Sequence, residues 1–171
     1  DYFVRRQCEP RVTGFEFRHI DTARPQKEFM QALADPGLAG IVICPSNPYV
    51  SIDPIIHLQG VQTAIIESPA PVIAVSPIVA GQALKGPAAK MMAELGRPVS
   101  ALSVAEYYRD LVDIFVLDHR DAGLGEQIQA LGKRAVVADT VMKSRDDKVL
   151  LAHRVIEELG GVDHGAWART G

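Results

Sequence analysis

The sequence is short of cysteine. Its 171 residues hold two, Cys8 and Cys44, far apart and without the spacing of a metal site. That sets aside a disulfide scaffold and fits a reducing, cytoplasmic setting. Cys44 ends an apolar run and is expected to be a buried small hydrophobe. A basic surplus is missing too. Lys and Arg number 18 against 21 Asp and Glu, for a net charge of −3, which argues against a nucleic-acid partner. No apolar run reaches the length of a membrane span, and no signal peptide opens the chain. No membrane partner is therefore expected. The phosphate-cradling order G-x-x-x-x-G-K-[ST] is absent, as are internal repeats, low-complexity tracts and linkers. No methionine begins the chain either. Asp1-Tyr2-Phe3-Val4-Arg5-Arg6 reads as the middle of an element, as expected for part of a longer protein.

What is present is an ordinary globular composition, 47% apolar and 23% charged, in a chain long enough for one domain with a real core. Apolar and polar residues alternate in "GFEFRHI", 14–20, which predicts a strand exposed on one face. "TARPQKEFMQALAD" follows as a helix with Pro25 in its first turn. "GIVICP" and "APVIAVSP" are continuously apolar and read as buried parallel strands. Between them "DPIIHLQGVQTAIIES" reads as two short helices broken at Gly60. Helices are expected over 85–96, with Pro87 near its start and Gly96 as its stop, and over 100–111, capped by Ser100 or Ser103. Strand 113–118, a short helix, strand 134–139 and a helix over 144–160 capped by Ser144 complete the pattern. Strands alternate with helices over short connections. That predicts a Rossmann-like parallel sheet with helices on both faces, a three-layer α/β/α architecture, over residues 1–160. Residues 161–171 read as a tail.

In such a sheet ligands bind beyond the carboxyl ends of the strands. Strand 41–44 delivers "PSNPYVSIDPI" to that edge. Two prolines stiffen the loop, while Ser46, Asn47 and Ser51 supply hydroxyl and amide groups suited to an anion. The same residues also suit a tight strand-to-helix turn. Strand 72–76 delivers Ser76 and then Lys85, a cation near a helix start, where an anion is needed to offset the helix dipole. Asp53, Lys90 and Asp118 are second-rank candidates. Lys90 also suits a solvated helix surface, and the Asp118-His119-Arg120-Asp121 run also suits a capped turn.

The blocks "YFVRRQCEPRVTGFEF", "VICPSNPYVSIDPI", "PVIAVSPIVAGQALKGPAAKMMAELG" and "SALSVAEYYRDLVDIFVLD" resemble, in order, the 2-phospho-L-lactate transferase family (CofD/FbiA). The resemblance runs to about residue 160 and covers the C-terminal portion of that family's larger domain. It implies transfer of a phospho-lactyl or phosphoenolpyruvyl group from a guanosine diphosphate-activated donor to the deazaflavin Fo, with release of GMP, in coenzyme F-420 biosynthesis. It implies Mg2+ as cofactor. Ser46, Asn47, Ser51, Ser76 and Lys85 are then expected at the nucleotide and phosphates. No catalytic residue is assigned. The family's glycine-rich loop and the acidic residues suited to the metal have no counterpart here, so the metal ligands are expected outside this chain. The isolated chain is expected to be inactive. An open sheet edge makes a homodimer the expected state. YvcK-like nucleotide-sugar binding regulators resemble the same fold and stand as the alternative.

Overall fold

The computed structural model describes residues 1–160; the expected tail over 161–171 lies outside the described residues. Helix α1, Lys27–Leu33, follows an extended Gln26, so Pro25 stands just outside the helix. Strand β1, Ile41–Ile43, is three residues long. It gives way to a π-helical turn, Pro48–Ile52, then to α2, Asp53–Ile56, and α3, Val61–Glu67. Gly60 breaks the last two at φ 80°, a left-handed backbone that favours glycine. Strand β2, Val72–Val75, follows. A small hairpin comes next, β3 at Ile78–Val79 and β4 at Gln82–Ala83, paired antiparallel. Helices α4, Ala88–Glu94, and α5, Ala101–Tyr107, lead to β5, Ile114–Asp118. A 3-10 turn, His119–Leu124, precedes α6, Gly125–Ala130, β6, Arg134–Ala138, and α7, Arg145–Gly160.

The sheet runs β1-β2-β5-β6, and all three pairings are parallel. Each crossover carries helix, as parallel neighbours require. One face buries Ile43, Val72, Ala74, Phe115 and Leu117 against Val61 and Ile65 of α3, Met91 and Met92 of α4, Val104 of α5 and Ile128 of α6. The other buries Ile73, Val75, Ile114, Val116, Val136 and Ala138 against Leu151, Val155 and Leu159 of α7. This is the three-layer α/β/α arrangement. Apolar residues fill both faces of β2, whose four residues are all buried, which is why its sequence shows no alternation.

The helix ends follow local chemistry. Ser100 accepts the Ser103 N–H at the start of α5. At α7, Ser144 Oγ accepts the Asp147 N–H, while Asp147 accepts the Ser144 N–H in return. Gly96, at φ 73°, closes α4. Its N–H donates to the Ala93 carbonyl and the Arg97 N–H to the Met92 carbonyl, the paired bonds of a left-handed helix stop.

Three expectations are corrected. Residues 14–20 form no strand: 14–17 carry no regular structure, 18–20 form a turn, and the segment has no sheet neighbour among the described residues. Its apolar positions serve another purpose: Phe15 stacks on Tyr49 at 5.5 Å and Phe17 lies 6.2 Å from His57. Cys44 is exposed rather than buried, because β1 ends one residue before it. The helix expected over 85–96 begins only at Ala88, since Gly86 takes φ 69° and Pro87 is its N-cap.

Candidate phosphate-binding site at the carboxyl edge

A cavity of about 540 Å³ opens beyond the carboxyl ends of β1 and β2. Ser46, Asn47 and Ser51 reach it from the loop after β1, and Ser76 from the end of β2. Lys85 reaches it from the turn before α4. All five first-rank residues thus line one cavity. Thr140, Met142 and Lys148 line it as well. Sequence reasoning missed these three, because they follow β6, two strands away from β2 in the sheet. Two lysines line the cavity, and none of its described lining residues is acidic.

The polar groups divide into those that hold the wall and those left over. Asn47 Oδ1 accepts the Tyr49 N–H at 3.0 Å, and its amide donates to Met91 Sδ at 3.1 Å. The first bond starts the π-helical turn, and the second ties that turn to α4. Ser76 is buried; its hydroxyl donates to the Ile78 carbonyl at 2.8 Å and accepts the Ile78 N–H. These two side chains therefore shape the loops. Among the described residues the hydroxyls of Ser46 and Ser51 and the ammonium groups of Lys85 and Lys148 have no hydrogen-bond or ion-pair partner, which leaves them free to meet a ligand.

The second-rank candidates lie elsewhere. Asp53 faces away from the cavity and accepts a short hydrogen bond from the Tyr107 hydroxyl. Burial raises its pKa, partly offset by that bond and by His57. It lines a separate aromatic recess with Phe15, Tyr49 and Arg97. The bond to Tyr107 ties the first residue of α2 to the last residue of α5. Lys90 donates to the Pro10 carbonyl at 2.8 Å and pairs with Glu94 at 2.6 Å, so it pins the N-terminal segment onto α4. Asp118 sits at the end of β5 on a neighbouring cavity of about 700 Å³. It accepts from the backbone and side chain of Arg120 and from the backbone and hydroxyl of Thr140. Burial pushes its pKa up, but these four bonds outweigh burial and leave it below the ordinary carboxylate value. It caps the turn, as the plainer reading of that run had it.

Among the described residues no three His, Cys, Asp or Glu side chains come together in a way that could hold a metal ion. The donor sets agree: Asp118 is spent on Arg120 and Thr140, and Asp121 accepts the Ala80 N–H. These residues do not fit a magnesium site.

The family described as 2-phospho-L-lactate transferase CofD matches residues 1–156. This chain belongs to that family. It is 38% identical over 156 residues to the 2-phospho-L-lactate transferase of Methanosarcina barkeri, covering 91% of this chain and 49% of the relative. It is 34% identical over 162 residues to that of Methanocaldococcus jannaschii, covering 95% and 50%. For that of Methanococcus maripaludis the figures are 34% over 157 residues, 92% and 48%. The chain spans about half the length of the family members it matches. No helix among the described residues is long and apolar enough to cross a membrane.

Proposed function

We propose that this chain forms the donor-phosphate wall of a 2-phospho-L-lactate transferase. The reaction moves a phospho-lactyl or phosphoenolpyruvyl group from a guanosine diphosphate-activated donor to a hydroxyl of the deazaflavin Fo, within coenzyme F-420 biosynthesis in the cytoplasm. The hydroxyl oxygen bonds to the phosphorus that carries the acid and loses its proton. The bond from that phosphorus to the bridging oxygen breaks, and GMP leaves with the electron pair. Charge neutralisation and positioning are the main demands of such a step. Lys85 and Lys148 meet the negative charge of the diphosphate, and Ser46 and Ser51 hydrogen-bond its oxygens. Asn47 and Ser76 keep the loops in register. Magnesium supplies further neutralisation when bound, through ligands outside the described residues.

The observation that carries this reading is a cavity with two lysines that have no partner among the described residues, and no acid in its described lining, at the carboxyl edge of a parallel sheet. Titration calorimetry with GDP tests it. Lys85→Met and Lys148→Met should each weaken GDP by about 1.5–3 kcal/mol, the range for a lost charged hydrogen bond. Asn47→Ala should lower both affinity and melting temperature, because its side chain holds the turn. GDP affinity unchanged in both lysine variants removes the site. Tighter binding of a UDP-sugar than of GDP favours a nucleotide-sugar regulator instead.

A further inference from the structure

The hairpin between Ser76 and Lys85 carries a turn that its own residues disfavour. Val79 pairs with Gln82, so Ala80 and Gly81 alone make the turn. Both have positive φ, 50° and 73°, as tight hairpin turns of the primed kind require. Asparagine, aspartate or glycine is the favoured residue at the first of these positions. Alanine enters the left-handed region at a cost, because its Cβ crowds the following carbonyl. A contact from elsewhere in the fold holds it there. The Ala80 N–H donates to Asp121 Oδ2 at 2.9 Å, and Asp121 is buried in the 3-10 turn after β5.

The root of the hairpin is tied to the same part of the sheet. The Ser76 N–H donates to the Val116 carbonyl of β5, and the Ser76 hydroxyl brackets Ile78. Strand β4 ends at Ala83, just before Leu84 and Lys85, and Gly86 and Pro87 then lead into α4. The place of Lys85 at the phosphate cavity therefore follows from the register of the hairpin. On the other side, Asp118 at the end of β5 accepts from the N–H and hydroxyl of Thr140, which lines the same cavity after β6. Two carboxylates of one short run thus hold cavity walls that come from different strands. Asp121 itself lines neither this cavity nor its neighbour.

We propose that the turn after β5 is a clamp across the phosphate cavity, with Asp121 as the positioning residue for Lys85 and Asp118 as that for Thr140. The proposal rests on the reading of that cavity as a diphosphate site. An acid in the neighbourhood of an anion site is otherwise a disadvantage, since its charge repels the ligand. The use of Asp121 is to accept a backbone N–H and so to set the hairpin that presents Lys85. Its charge and its hydrogen bond then act on GDP in opposite directions. Loss of the charge alone strengthens binding. Loss of the hold weakens it, because binding then has to order the turn. The sign of the change separates the two.

The test measures amide hydrogen exchange from Gln82 to Lys85 without ligand, and GDP affinity by calorimetry. Asp121→Ala should speed exchange over that stretch and weaken GDP about fivefold, the factor for one lost hydrogen bond. Asp121→Asn, whose carbonyl still accepts the Ala80 N–H, should keep both near the parent's. Adding Ala80→Gly to Asp121→Ala should restore both, because glycine holds the turn without help. Ala80 is exposed, so Ala80→Val strains the turn without disturbing the core and should repeat the effects of Asp121→Ala. It carries the test if Asp121→Ala does not fold. Unchanged exchange in these two weakening variants overturns the clamp, whatever GDP does. Faster exchange with GDP affinity unchanged or raised also overturns it, since the turn then bears on stability alone. No GDP binding by the parent overturns the diphosphate reading instead, and the exchange result by itself then decides the clamp.

Discussion

Asp118 and Asp53 are both buried acids, and their surroundings push them in opposite directions. Asp118 releases its proton more readily when folded. Its contribution to stability is therefore present above the ordinary carboxylate range, near pH 4, and is lost as pH falls through its lowered folded value. Asp53 holds its proton more tightly when folded, so its contribution is present below that range and is lost as pH rises through its raised value. Substituting each in turn should separate the two. In urea unfolding over about pH 3–7, Asp118→Asn should flatten the loss on the acid side. Asp53→Asn should flatten the loss as pH rises, since its side-chain carbonyl still accepts from Tyr107. Profiles parallel to the parent's in both variants contradict this assignment. Tyr107 reinforces the pairing: burial first, then the bond to Asp53, holds its hydroxyl protonated, so it remains a donor throughout this range.

Elements with strong local signals were legible, and those defined by distant contacts were not. The break at Gly60, the Ser100 and Ser144 caps and the Gly96 stop are matters of local backbone chemistry, and all stand as read. The strands β1, β2, β5 and β6 announced themselves by apolar runs, although only β2 and β5 are buried along their whole length. Segment 14–20 misled because two aromatics spaced by one residue mimic strand alternation, while their docking sites, Tyr49 and His57, lie far along the chain. The site divides the same way. Residues immediately after β1 and β2 could be placed from strand ends alone, whereas Thr140 and Lys148 reach the cavity only through the strand order. The hairpin β3–β4 was invisible because its strands hold two residues each. Gly60 gives a clean test at this scale. A methyl there meets only Met30 Cε, at 3.8 Å, so Gly60→Ala should cost only the left-handed backbone penalty, about 1–2 kcal/mol. Thermal melting with unchanged GDP binding is the expected result. A far larger loss would show that the α2–α3 break carries packing not apparent in its contacts.

At the scale of the whole molecule, no three metal-ligating side chains come together among the described residues. Residues 1–171 alone should therefore form no phospho-acid adduct of Fo when incubated with magnesium and the guanosine-activated donor, as read by mass spectrometry. Catalytic turnover by the isolated chain would mean that residues 1–171 suffice, and Asp118 and Asp121 would be the first to substitute. The parallel sheet has a further consequence, for how the molecule is made. Val72 to Val75 are buried on both faces in the finished protein, and their second neighbour is β5, in register from Ile73 with Ile114. At ordinary rates of synthesis a ribosome needs about 2–8 s to travel between those two positions. For that interval the strand at the centre of the sheet waits with one neighbour and no finished core. A nascent chain stalled in this window should be held by chaperones and cut readily by proteases, and both sensitivities should fall once Asp118 has cleared the exit tunnel.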